Sequence, residues 1–185
     1  MAKDRLGYSR GVHVDCIGRS GGLALLWNDD LDVSLMSYSC HHIDVTVKLN
    51  EKFGEWWLSR IYGWPMFYSY EKRGGGLKNQ TILEIFRETF NTCDLWEIEF
   101  KGNDFTWWND REGDDSIEER LDRFMANSDW QASFLWADVI HIDDDLSDHL
   151  PIPLRLNLNG REPKKKRKKW FFLRTCGLMT RDVKS

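Results

Sequence analysis

A mixed α/β fold, of the α+β or layered-sandwich kind, is predicted by three observations. Several strand-length stretches carry an apolar alternation or a continuous apolar run, one stretch carries a helical repeat, and that helix is inserted between runs of strands. No internal repeat is visible. The 185 residues suit one domain with a real core, and a hydrophobic share of 41% fits a globular chain.

The first strand is Leu23-Ala24-Leu25-Leu26-Trp27, entered from the turn Gly18-Arg19-Ser20-Gly21-Gly22 and closed by Asn28-Asp29-Asp30. Ile43, Val45, Val47 and Leu49 then alternate with Asp44, Thr46 and Lys48, the period of a half-buried strand. A turn over 50–54 leads into Glu55 to Tyr62, so the first third reads as antiparallel strands. Gly63-Trp64-Pro65 ends that strand, and Glu71 to Gly76 reads as a flexible loop. From Asn79 to about Cys93, Ile82, Leu83, Phe86 and Phe90 fall at helical spacing, with Asn79 or Thr81 as cap and one face buried.

Phe105 to Asn109 is rich in strand formers, Asp110 to Ser116 forms a hairpin-type loop, and Glu119 to Ala126 returns as a strand. Ser128-Asp129-Trp130 opens a helix with a Ser cap. Ala137 to Ile142 is a further strand, followed by the acidic loop Asp143-Asp144-Asp145, read as solvated. Last, Ile152, Leu154, Leu156 and Leu158 alternate with Pro153, Arg155 and Asn157. Pro153 places this strand at a sheet edge or delays its pairing until beyond the proline.

Charge divides the chain. The net charge is −4, yet residues 161–185 hold ten Lys or Arg against Glu162 and Asp182, which is +8 and leaves −12 on residues 1–160. The expected organisation is a folded body over 1–160 and a basic C-terminal tail over 161–185. Four scattered cysteines without a C-x-x-C pair suggest neither a zinc site nor a disulfide framework. Residues 1–20 lack an apolar signal core and no later run is long enough to span a membrane, so a soluble intracellular protein, nuclear or cytoplasmic, is expected.

Chemistry is suggested by Ser147-Asp148-His149, read with Glu119-Arg120-Leu121-Asp122-Arg123. An imidazole titrates near neutral pH and serves as a base or a phosphate contact, and a second carboxylate could hold its tautomer.

These stretches, with Gly18 to Trp27, Tyr62-Gly63-Trp64-Pro65, Glu71-Lys72-Arg73-Gly74-Gly75 and Phe105-Thr106-Trp107, stand in the order seen in the endonuclease/exonuclease/phosphatase superfamily. The closest resemblance is to the apurinic-endonuclease-like nuclease region of plant non-LTR (LINE-type) retrotransposon proteins, over residue 5 to the end of the chain. The resemblance implies a four-layered α/β sandwich that hydrolyses DNA phosphodiesters with Mg²⁺. Carried residue by residue, His149 matches the phosphate-contacting histidine, Asp122 the carboxylate orienting it, and Asp148 the neighbouring aspartate near the metal. Tyr62 matches a tyrosine facing the scissile phosphate, and Trp107 an aromatic near the product pocket, with core packing as its alternative role.

Two of the family's motifs have no counterpart here. The metal-binding glutamate of a Glu-Thr-Lys motif would precede Met1, and Pro65 runs through Met66 to Tyr70 straight to Glu71, where the family has a helix and a strand ending in Gly-Asp-Phe-Asn. The expectation is an incomplete sandwich lacking one strand and helix, with neighbouring strands left unpaired and catalysis impaired. The alternative is a non-catalytic retrotransposon remnant, or a small nuclear nucleic-acid-binding protein acting through Lys164, Lys165, Lys166, Arg167, Lys168 and Lys169. Residues 163–169 resemble an import signal for a nuclear import receptor, and Trp170-Phe171-Phe172 resembles the linker that leaves the nuclease in the retrotransposon proteins.

Overall fold

The computed structural model describes residues 8–15, 22–50, 54–62, 66–143, 147–156 and 169–176. It is a mixed α+β structure, mostly strands in largely antiparallel sheets, with few helices. One sheet has six strands in the order β1 (Arg10–Val14), β2 (Gly22–Trp27), β14 (Lys169–Cys176), β13 (Leu154–Leu156), β12 (Asp138–Ile140) and β8 (Phe100–Lys101). Only β12 and β8 run parallel in it. A second has five antiparallel strands, β3 (Asp32–Tyr38), β4 (His42–Asn50), β5 (Gly54–Tyr62), β11 (Asp122–Ala126) and β7 (Trp96–Glu97). A small third sheet joins β6 (Lys72–Arg73), β10 (Glu118–Glu119) and β9 (Trp107–Trp108).

Alternation sets the core. Ile43, Val45 and Val47 of β4 and Leu58 of β5 point to one face and share a buried cluster with Leu23, Leu25, Ile152 and Leu154 from the other large sheet. Helix α2 (Ser128–Ser133) adds Trp130 to the same cluster, and Phe134 just beyond its end joins them. Helix α1 (Gln80–Thr92) is capped by Asn79, whose side chain accepts from the Thr81 N–H at 2.9 Å. Among the described residues no helix is long and apolar enough to cross a membrane.

Several expectations change in detail. The apolar stripe of α1 buries only Leu83 fully, and Ile82 is 40% exposed because it lies at the mouth of a groove beside Met66 and Leu121. The strand expected over 119–126 is broken at Arg120-Leu121 into β10 and β11, which join different sheets. Asn127, not Ser128, caps α2, its side chain accepting from the Trp130 N–H at 3.0 Å. Strand β13 lies inside its sheet, between β14 and β12, and begins just past Pro153. Lys169–Cys176, placed by composition in the basic tail, forms a strand between β2 and β13. The turn over Gly18 to Gly21, residues 63–65, and Asp144-Asp145 lie outside the described residues.

The expected unpaired edge is not found at β5: β4 lies on one side of it and β11 on the other. The stretch expected as a flexible loop is also anchored. Glu71 is 2% exposed; its carboxylate accepts from the Phe67 N–H at 2.7 Å, from Arg120, and from Arg123 Nη2 at 2.6 Å. Arg123 continues to Glu97 at 2.8 Å. Gly74 then turns the chain at φ 75°, where a Cβ would meet the Ser116 carbonyl oxygen at 1.9 Å.

Removing one member of a buried ion-pair network strands the others. Glu71→Ala is expected to lower unfolding free energy in urea titration by about 3–5 kcal/mol, whereas Leu77→Ala, at a side chain 92% exposed, should change it by less than about 0.5 kcal/mol. His141 supplies a pH test. It is buried, stacks on Phe100 at 4.5 Å, and directs Nδ1 to the Asn103 carbonyl at 2.5 Å. Burial pushes its imidazole below the ordinary value of 6.5. The unfolded chain therefore binds more protons in mildly acid solution, so this contribution is complete above the unfolded value and is lost as pH falls toward the folded one. His141→Asn, which keeps a donor for Asn103, should show a smaller drop in thermal midpoint between about pH 7.5 and pH 5.5 than the parent.

Candidate functional site

The pairing of β5 with β11 puts Tyr62 opposite Asp122. Two further segments close on that pair. Thr106 is fully buried, and its hydroxyl accepts from the backbone N–H groups of Leu121 and Asp122, both at 3.0 Å. The segment 147–150 is hydrogen-bonded alongside: Leu150 N–H donates to the Thr106 carbonyl at 2.8 Å, Trp108 N–H to that of Asp148 at 3.1 Å, and Trp107 bridges to His149. Ser147 Oγ accepts from the His149 N–H at 3.2 Å, which fixes the turn before the histidine.

His149 is 3% exposed and its Nδ1 lies 2.8 Å from Asp122 Oδ2. Arg60 Nη2 donates to the other oxygen, Oδ1, at 2.5 Å. Burial by itself would push the Asp122 carboxyl up, but the adjacent His149 and Arg60 outweigh it and hold the group below the ordinary 3.8. An ionised carboxylate only accepts, so the Nδ1 proton is the one donated. That leaves Nε2 of a neutral ring as an acceptor, with no hydrogen-bond partner among the described residues. The Tyr62 ring lies 5.4 Å from the imidazole and 5.5 Å from the Arg60 guanidinium carbon. Trp107 stands 6.3 Å from the imidazole, and its indole N–H donates to Asp148 Oδ2 at 3.0 Å.

Five residues read from the sequence thus meet in one place: His149, Asp122, Tyr62, Trp107 and Asp148. Lys164 to Lys168 lie outside the described residues, and Lys169 opens β14. Thr106 and Arg60 belong to the site and were not anticipated. A signal for Arg60 exists, because in β5 it shares its face with Leu58 and Tyr62, so a charge at that parity points inward.

One oxygen of Asp148 is engaged by the Trp107 indole N–H. Among the described residues no group of three or more His, Cys, Asp or Glu side chains is arranged to hold a metal ion. Asp143 is exposed. A Mg²⁺ ion favours carboxylate oxygens with water and substrate completing an octahedron, and the described residues of the site offer only Asp148 toward that requirement. The arrangement is suited instead to an oriented imidazole: proton acceptance at Nε2, or, once protonated, a charged contact to a phosphate oxygen.

No known protein-family model matches the chain, and no curated protein matches it.

Proposed function

We propose that this chain is a phosphodiester-binding domain of the endonuclease/exonuclease/phosphatase kind, most similar to the nuclease region of plant LINE-type retrotransposon proteins, with hydrolysis impaired. The observation that carries the reading is the convergence of separate sequence motifs on one histidine: Tyr62 from β5, Asp122 from β11, Trp107 from β9, and Asp148 beside His149 itself. On this reading the fold is the four-layered sandwich of that superfamily, less one strand and helix, and DNA is the partner. His149 contacts a phosphate oxygen, Asp122 holds its ring, and Tyr62 faces the phosphorus.

Activating water and neutralising charge on the phosphate are the tasks that Mg²⁺ and its carboxylates serve in such enzymes, and Asp148 alone does not supply them. Losing both lowers the rate by several orders of magnitude. A second reading rests on charge segregation. The +8 carried by residues 161–185 runs into β14, which ties the basic run to the six-stranded sheet. Lys164 to Lys169 then contribute sequence-independent phosphate contacts, and residues 163–169 offer a segment for a nuclear import receptor.

Purified protein, shown to be folded by circular dichroism, is expected to leave supercoiled plasmid un-nicked in Mg²⁺, as it does in EDTA, yet to bind duplex DNA at low salt less tightly as His149→Ala. Nicking that needs metal and disappears in His149→Ala would overturn the impaired reading; DNA binding unaffected by that substitution would overturn the site. Neutralising Lys164 to Lys169 with Gln should flatten the dependence of log K on log salt by about 0.9 for each phosphate that the tail no longer neutralises.

A further inference from the structure

Arg60 sits where chain pairing demands an apolar side chain. Its cross-strand neighbours are Ile43 of β4 and Phe124 of β11, which are 0% and 1% exposed, and Arg60 itself is 1% exposed. Nη2 reaches Asp122, whereas Nε and Nη1 are buried with no hydrogen-bond partner among the described residues. Each unpaired N–H loses its water and gains nothing, and an apolar chain of similar length would fill the same space without that cost. Packing therefore does not account for the guanidinium.

Its charge does. Asp122 is 1% exposed and has two ionic neighbours, Arg60 on Oδ1 and His149 on Oδ2. With His149 alone, the buried carboxylate would be compensated only while the imidazole carried a proton, and the pair would exchange between charged and neutral forms. With Arg60 in place the carboxylate is compensated whether or not the ring is charged. Oδ2 then remains a pure acceptor, and Nδ1 of the neutral ring is obliged to carry the hydrogen. We propose that Arg60 is the positioning residue of this site: its guanidinium keeps Asp122 an ionised acceptor, so that His149 is held as the Nδ1–H tautomer with Nε2 free to meet a ligand.

The inference deepens the reading of His149 as the working group and rests on it, but it is tested on the ring itself, without DNA. The full chain is labelled with ¹⁵N-histidine, and the His149 ring signals are assigned by their loss in His149→Gln. In the neutral form of the ring, reached by raising the pH until one nitrogen gives up its proton, the parent is expected to keep the proton on Nδ1 and leave Nε2 unprotonated. Arg60→Lys, which keeps a cation able to reach Oδ1, should retain that pattern. Arg60→Gln, which keeps a donor but not the charge, should replace it with a protonated Nε2 in part or all of the population. A purely structural arginine predicts equal effects of the two substitutions. The proposal is overturned if the parent ring carries its proton on Nε2, or if a folded Arg60→Gln protein keeps the parental pattern. A parent protein that shows the ring pattern but does not bind DNA would count against the phosphodiester reading and leave the role of Arg60 standing.

Discussion

The pairing of β5 with β11 is the constraint on which the site and the core both depend. Its register sets Tyr62 against Asp122 and Arg60 against Phe124, and residues directly opposite in antiparallel strands share a face. A slip of one residue would turn Arg60 and Tyr62 to the other face and bring Ile61 and Ser59 inward, dismantling the site and opening the core together. The same pairing gives β5 a partner on its second side, β4 being on the first. A row of N–H and C=O groups on β5 needs partners, and β11 provides them.

The approach to β11 is held by charges sent in different directions from one short stretch. Glu119 takes Lys72 at 2.6 Å, Arg120 and Arg123 converge on Glu71, and Asp122 turns to Arg60 and His149. These are buried or half-buried pairs, so each is costly to break even where its net contribution to stability is small. Geometry is what they fix. Arg123 stacks over Phe67 at 4.6 Å and Arg120 over Phe100 at 4.5 Å, which seats the guanidinium planes against aromatic faces that also exclude water. The position of Asp122 follows from neighbours that cannot rotate away.

Strands β2, β4 and β5 were readable because their apolar period coincides with what the sheet buries, and α1 because its repeat is joined to a capping Asn79. Strand β3 was not, since it stands at a sheet edge with Leu35, Met36 and Tyr38 exposed and a bulge between Leu35 and Ser37 that breaks its alternation. Strand β14 was hidden for another reason: one of its neighbours in the sheet, β2, is supplied by a distant part of the chain, and the adjoining lysines dominate local composition. In the site, His149, Asp122 and Tyr62 were readable through motif order. The contact between Asp148 and the Trp107 indole was not, because it joins two segments far apart in the chain.

The electrostatics of the site explain how His149 is held in place by the chain's own residues. A cage of clustered carboxylates carries net negative charge and is completed by its cation, so removing ligands from such a cage also removes part of the folding energy. Here the charges cancel internally. Arg60 and Asp122 neutralise one another, His149 takes the other oxygen of the carboxylate, and the Trp107 indole N–H caps one oxygen of half-buried Asp148. Nothing in that circuit requires an external cation to hold its shape. The orientation of His149 is therefore a property of the chain itself, set by Asp122 and by the residues that hold Asp122 in place.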